Sequence, residues 1–561
     1  MKAKASTLLR RLEKLKTEFD RDTAGRKLDL LDKLARRRLA NADQVCRLHE
    51  FLAFSQAYPD SRRILAQVER MLAEFASRGD LRRHRRALAD TGIAGTDIYY
   101  RFFWPSALWL VKRFPDYLTI DWPEFSAKRR MADLLFILMP YSESPALEGL
   151  NYSPREWVDR LKGGGETDAA FLVRRFAALK ASTFARERLF EELDVPMRLA
   201  PGPGTPTRTR AKLPEMPVVF QTKPLSRTRP DMRKEIQKPP LRVRSLSPRE
   251  GQRMLDAAFA AMITRSRDLD AFDFGDKSDV RLIDCGEGLQ FACIGQIPER
   301  RLLLEAVYGF LTIKNGVPIG YVLSSSLFSS SEIAYNVFET YRGTESVRIL
   351  GRVLAMVRYL FGSNTFSIDP YQLGHNNPEG LKSGAWWFYY KLGFRPEDPD
   401  VLRLLRTEQR RMREDSRHRS SRATLQKLSS EPLFLYLDAK KRDVFAKIPV
   451  AELGLKISRL LAERSGADRE KAIRTASREA AKLLGVRAKR TWSAGERLAW
   501  ERWSPLILLL PGISRWKDEE KRALVQVVRA KGGRRESDFV TLFNRHRRLR
   551  QALLTVVEEA P

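Results

Sequence analysis

The spacing of apolar positions divides the chain into three parts. Up to about residue 90 they recur three and four apart: Leu28, Leu31 and Leu34, then Leu48, Phe51, Leu52 and Phe54. After a break at Ala57-Tyr58-Pro59-Asp60-Ser61 come Ile64, Val68, Met71, Leu72 and Phe75. This is the helical period, and it predicts a helical bundle. Further helices are expected over 155–193 and again from Ala451 onward, where Ile457, Leu460, Leu461, Ile473, Ala480, Leu483 and Leu484 keep the spacing. The last two are expected over 523–529 and 539–557, with His546 an exposed helix residue.

The middle of the chain changes period. A short strand is predicted over 241–246, and Ser247-Pro248-Arg249-Glu250 is a helix start, with Pro at the first position and Glu three residues after the Ser. Segments 280–284 and 289–294 flank Gly286-Glu287-Gly288, and 303–313 and 317–324 flank Asn315-Gly316, which predicts two hairpins. Ile333, Tyr335 and Val337 then alternate with Ala334, Asn336 and Phe338, apolar on both faces apart from Asn336. Such a strand belongs inside a sheet. It breaks at Tyr341-Arg342-Gly343, and Thr344 is positioned to cap a helix carrying Val347, Leu350, Val353, Leu354, Val357 and Leu360. The first N–H groups of that helix face a strand end, a natural anion site. A last strand is expected at 433–437.

The predicted class is therefore α/β (α+β), a central mixed sheet between N- and C-terminal all-helical regions. The boundaries read as a helical region 1–199, a linker 200–240, a central domain 241–440 with an Arg-rich insertion 403–427, and a helical region 441–561. The linker is assigned because PGPGTPTRTRAKLPEMPVVF and the residues after it are rich in Pro, Thr and basic side chains, which predicts an extended tether. The run QRRMREDSRHRSSR reads as a surface loop or an interaction arm.

Composition narrows the function. At 561 residues the chain exceeds one ordinary core, and 43% hydrophobic with 10% aromatic residues excludes wholesale disorder. No stretch reaches the roughly 18 apolar residues of a membrane span, and the N-terminus has no apolar signal core, so a soluble cytoplasmic protein without a membrane span is expected. Cys46, Cys285 and Cys293 are expected as reduced thiols, and neither they nor the five histidines have a metal-binding spacing. The net charge of +32 implies attraction to nucleic acid or another polyanion, or else a solvated basic surface. Trp104, Trp109 and Trp122, beside Arg101, Lys112 and Arg113, either stack unpaired bases or build a core.

The element order from Leu241 to Leu437, ending in Ala385-x-x-x-Tyr389-x-x-x-Gly393-Phe394, resembles the GNAT superfamily of acyl-CoA-dependent acyltransferases. The resemblance implies transfer of an acyl group, acetyl in the simplest case, from acetyl-CoA or another acyl-CoA to an amine on a small molecule or a protein. It implies that Tyr389 protonates the departing thiolate, and that Asn376 or Asn377 fills the family's asparagine position. Asn377 is taken as the cofactor contact. The family's phosphate loop falls on Arg342, Gly343, Thr344, Glu345, Ser346 and Val347. Glu345 stands there in place of a glycine and Val347 in place of a small residue. A carboxylate at 4 Å would repel the pyrophosphate by about 1 kcal/mol in water, and more where water is excluded. Two arrangements follow. In one, Glu345 turns outward and Arg342, Gly343, Thr344 and Ser346 bind phosphate. In the other, the domain keeps the fold without the cofactor and serves as a basic, nucleic-acid-associated scaffold. A base for the amine is sought among Glu332 and Glu339, on opposite faces of the strand by parity, and Glu339 is the nearer to its end.

Overall fold

The computed structural model describes residues 4–213, 215–225, 229–343, 345–439, 443–487 and 490–558. Near the N-terminus, Leu9, Leu12, Leu31, Leu34, Leu48 and Leu52 close a core among the helices Ala5–Lys14, Arg21–Ala35, Ala42–Ala57 and Arg62–Ala73. Asp20, Asn41 and Ser61 each accept a hydrogen bond from the N–H three residues on, which is why three of these helices start where they do.

The aromatic stretch that follows builds a second core. Trp104 packs on Phe190, and Trp109 stacks on Phe259 with ring centroids 5.4 Å apart. Three short antiparallel strands run beside it: β1 (Ile98–Tyr100), β2 (Leu118–Ile120) and β3 (Met197–Leu199), in the order β1-β3-β2. The N-terminal region is thus not all-helical. Three residues are too few for a period of two to register.

The central unit is a mixed sheet of eight strands: β4 (Arg242–Ser245), β5 (Gly275–Asp284), β6 (Leu289–Gln296), β7 (Ala306–Lys314), β8 (Val317–Leu327), β9 (Ser330–Val337), β10 (Thr365–Ile368) and β11 (Leu433–Tyr436). They lie in the order β11-β10-β9-β8-β7-β6-β5-β4, antiparallel throughout except between β9 and β10. Both expected hairpins form. Asn315 and Gly316 take φ of 49° and 81°, the left-handed pair that a two-residue turn requires.

Helices cover both faces. α1 (Pro248–Ile263) begins with the Ser247–Glu250 capping box, and its Leu255 lies against β5. On the same face Phe272 packs so close to β7 that a Cβ on Gly309 would stand 2.7 Å from its ring. The opposite face carries α2 (Ser346–Phe361), whose Phe361 ring lies 5.1 Å from Tyr308. Beyond β10 come α3 (Pro378–Ser383), α4 (Ala385–Lys391), α5 (Pro399–Glu414) and α6 (Arg422–Leu428). The Arg-rich run is therefore largely helical rather than a loop. Asp398 caps α5, and Val401, Leu405 and Glu408, spaced four and three apart, form its buried stripe.

Two other expectations change. Residues 200–240 do not hang free as a tether. Leu225, Met232 and Ile236 are buried in the central core, Leu213 N donates to Gly316 O at 2.8 Å, and Gln221 N donates to Pro59 O at 2.8 Å. A few well-placed apolar side chains suffice to seat an otherwise polar segment. The expected terminal helix splits into α8 (Glu536–Arg545) and α9 (Arg547–Glu558), after α7 (Asp518–Gly532). His546 sits at the break, buried rather than exposed, with Leu549 N donating to its Nδ1 at 3.1 Å. Nε2 is thereby the protonated nitrogen and donates to Glu520 O at 2.9 Å. No helix among the described residues is long and apolar enough to cross a membrane.

The C-terminal helices are pinned to the sheet by buried polar groups. Lys531 Nζ lies 2.6 Å from Glu536 Oε1 and donates to Leu304 O and Glu305 O, while Arg301 donates to Lys531 O and Gly533 O. Lys531 and Glu536 are both almost wholly buried, so removing one strands the other charge. Lys531→Met should lower stability by about 3–5 kcal/mol in denaturant unfolding, and adding Glu536→Leu should recover the larger part.

Candidate active site

The parallel pair, one strand in from the β11 edge of the sheet, comes apart. β10 pairs with β9 at three positions only, Thr365 with Ser330, Phe366 with Ser331 and Ser367 with Glu332. β9 runs on to Val337 bonded to β8 alone, so residues 333–337 have no strand on their other side among the described residues. The cause is local. Asp369 accepts a hydrogen bond from Tyr371 N at 2.8 Å and Pro370 opens a helical turn, so β10 stops where β9 continues.

β9 ends in a 3₁₀ turn, Glu339–Tyr341. Lys16 Nζ donates to Thr340 O at 3.1 Å, and Arg342 Nε returns to Val337 O at 2.9 Å, so the turn is tied to the N-terminal helices and to its own strand. Gly343 follows with φ of 79°, and α2 starts at Ser346. Thr344, the expected cap, lies outside the described residues. Glu345 takes the N-cap position without a side-chain cap.

A cavity of about 210 Å³ occupies the gap. Tyr335 and Asn336, of opposite parity on β9, both line it, so it opens to both faces of the sheet; Arg342, Ser346, Asn377 and Tyr389 complete the wall. Tyr389 is buried, and burial raises its hydroxyl pKa well above the usual tyrosine value. It remains a protonated donor at neutral pH. Tyr335 is half-buried and donates to Ser346 O at 3.0 Å. Asn336 Oδ1 is buried and accepts no hydrogen bond among the described residues. An orphaned acceptor lining a cavity is the kind of atom a ligand satisfies. Asn336 was legible as the polar member of an apolar strand, yet was not counted among the site residues.

A larger cavity of about 750 Å³ adjoins the first and shares Ser346, Ser383 and Phe388 with it. Gly343, Glu345, Arg348 and Arg352 line it. The first turn of α2 leaves the N–H groups of Ser346, Val347 and Arg348 without intrahelical acceptors. Glu345 does not turn outward. It is buried, with one carboxylate oxygen 3.1 Å from Lys314 Nζ and the other 3.1 Å from Arg348. Its charge is met by two cations, which shortens the reach of its field into the cavity. Arg352 lies 3.6 Å from Glu235 and donates to Lys238 O and Pro239 O. Cys285 also lines this cavity, and burial pushes its thiol up to about 11, so it is not a thiolate nucleophile at neutral pH.

The structure thus gathers Tyr389, Arg342, Ser346 and Asn377 around one cavity and Gly343 with Ser346 around the next. Arg342 is engaged by Glu379 at 2.5 Å, and Asn377 caps α3 by accepting from Gly380 N while donating to Tyr371 O. Glu339 stands apart. β9 ends before it, it is exposed on the 3₁₀ turn, and it lines neither cavity. Glu332 is the carboxylate within the strand. Burial, reinforced by Asp369 and Glu305, pushes it up to about 7. By parity it faces away from Tyr335.

Comparison with family models, with curated proteins and with solved structures returned no match for this chain.

An acid held at about 7 when folded and 4.5 when unfolded binds its proton more tightly in the folded state. Its stabilising contribution is complete below pH 4.5 and declines as pH climbs to about 7. Glu332→Gln should therefore raise stability by about 1–3 kcal/mol at pH 8 and leave it nearly unchanged at pH 4, read from denaturant midpoints. An equal effect at both pH values would exclude a titrating Glu332.

Proposed function

We propose that the central domain transfers an acyl group from an acyl-CoA thioester, acetyl-CoA in the simplest case, to an amine. The observation that carries this reading is the splayed β9–β10 pair with Tyr389 at its mouth and the first turn of α2 alongside. The backbone of residues 333–337, unpaired on one side, suits an extended chain with amide groups, which would pair with it as an added strand does. The free N–H groups of α2 suit the pyrophosphate end. The acceptor nitrogen attacks the thioester carbonyl, the C–S bond breaks, and the Tyr389 hydroxyl gives its proton to the leaving sulfur. The acceptor sheds its own proton to solvent. The acceptor amine belongs to a small molecule or a protein. An acyl-CoA donor, together with cysteines left as thiols, implies a cytoplasmic setting.

One observation favours a second reading, a domain that has kept this architecture as a scaffold: Glu345 is in the wall of the larger cavity, where a pyrophosphate would lie. The two readings separate on binding. Acetyl-CoA at millimolar concentration should raise the melting temperature by a few degrees, as any ligand of the folded state does. No shift in a well-folded sample would leave the scaffold reading. Given binding and an accepted amine, Tyr389→Phe should slow thiol release by about 10²–10⁴-fold with acyl-CoA affinity unchanged.

A further inference from the structure

A trough of about 1030 Å³ lies between α4 and the helices α5 and α6. Its chemistry differs from that of both cavities beside the sheet. Five cations line it, Arg229, Lys382, Lys391, Arg413 and Arg419, and no Asp or Glu does. All five are exposed, and none is ion-paired among the described residues. The rest of α5 shows what a solvated basic face looks like here. Arg403 pairs with Asp400, Arg410 with Glu414 and Arg411 with Glu408. Arg413, which no acid meets among the described residues, is the cation that α5 gives to the trough.

The floor is aromatic and held in place. Trp387 and Tyr390 line it, their rings 5.5 Å apart and at 87° to each other. Trp387 Nε1 donates to Ser420 Oγ at 3.1 Å, and Ser420 Oγ donates to Glu408 Oε2 at 2.6 Å. Gln409 Nε2 donates to the Tyr390 hydroxyl at 2.7 Å. Glu408 is wholly buried, its carboxylate held by Arg411 and by hydrogen bonds with Ser420 and the His418 ring, so it does not reach the cations of the trough. Arg419 is held over the same loop by donating to Ser416 O and His418 O.

Tyr390 is itself covered by the stacked Trp386 ring and by the Arg395 guanidinium, which leaves Trp387 as the stacking surface. A fixed indole among unpaired, exposed cations matches a chain of unpaired bases joined by phosphates, because a base stacks on the ring while the phosphates meet the cations. A duplex hides its base faces and could use only the charges. We propose that this trough binds single-stranded nucleic acid. The proposal does not rest on the acyl-transfer reading.

The test uses the full chain and a fluorescein-labelled single-stranded oligouridylate of about 12 nucleotides, within the span such grooves accommodate. Binding is followed by anisotropy over a range of salt concentrations. The triple reversal Lys391→Glu, Arg413→Glu, Arg419→Glu should weaken binding at least about 30-fold and reduce the log–log salt slope by about 2. A matched reversal of exposed arginines far along the chain, Arg62→Glu, Arg63→Glu and Arg82→Glu, removes the same charge. It should weaken binding no more than about 3-fold. Trp387→Leu should weaken it about 10-fold with the slope unchanged, the mark of lost stacking. The proposal is overturned if the two triple variants lose affinity equally, if a duplex of the same length binds as tightly, if no binding appears at low salt, or if micromolar coenzyme A displaces the oligonucleotide.

Discussion

The site depends on one early stop. β10 could have paired along the whole of β9, but Asp369-Pro370 turns the chain after Ile368 and leaves residues 333–337 with a partner on one side only. An unpaired backbone inside a sheet is costly unless something satisfies it. Here the gap is framed from three directions, by the 3₁₀ turn after β9, by the first turn of α2, and by Tyr389 on α4. Tyr389 belongs to the central apolar core, so the ring that reaches the gap is set by packing and not by a flexible loop. Had β10 run five residues further, there would be no cavity for Tyr389 or Asn336 to line.

Electrostatics decides what that gap tolerates. Taken alone, Glu345 at the head of α2 would repel an anion. The structure buries it between Lys314, at the end of β7, and Arg348, one turn into the helix. Lys314 comes from a hairpin more than thirty residues upstream, so no local motif reveals the pairing. Arg348 also pairs with Glu287, so the two carboxylates and two cations of this cluster carry no net charge, and their field falls off faster with distance than that of a lone carboxylate. The consequence is a wall nearly neutral in sum, in which the free N–H groups and dipole of α2 remain the oriented attraction for an anion.

Local pattern carried much of the fold. The hairpins at Gly286-Glu287-Gly288 and Asn315-Gly316, the Ser247–Glu250 cap and the 333–337 alternation were all legible, because each is decided by residues adjacent in the chain. What was not legible depends on distant partners. The strands β1 to β3 are three residues each and owe their existence to one another across some hundred residues. Residues 200–240 look unattached by composition, yet Met232 and Ile236 settle against α2 and the core. His546 among arginines reads as surface, but the chain breaks there and both ring nitrogens are used. Around the gap, Tyr389, Arg342, Ser346 and Asn377 converge on one cavity, whereas Glu339 lies outside it because the strand ends two residues before it.

The same division between local and distant explains the charge. A net +32 spread evenly would be a solvated surface and little more. Much of it is locally answered in pairs three or four residues apart, Asp400 with Arg403 and Glu408 with Arg411 among them, and that compensation can be read along a helix. The uncompensated part is assembled from Arg229 in the 200–240 segment, Lys382 on α3, Lys391 on α4, Arg413 on α5 and Arg419 in the loop after it, which meet only when these elements pack. Glu408 makes the distinction physical. It is an acid within the Arg-rich helix, but it points inward to hold Ser420, and through it Trp387, so the residue that should have balanced the trough instead fixes its floor. Net charge therefore says little about where a polyanion would sit, and the placement of the acids says most of it.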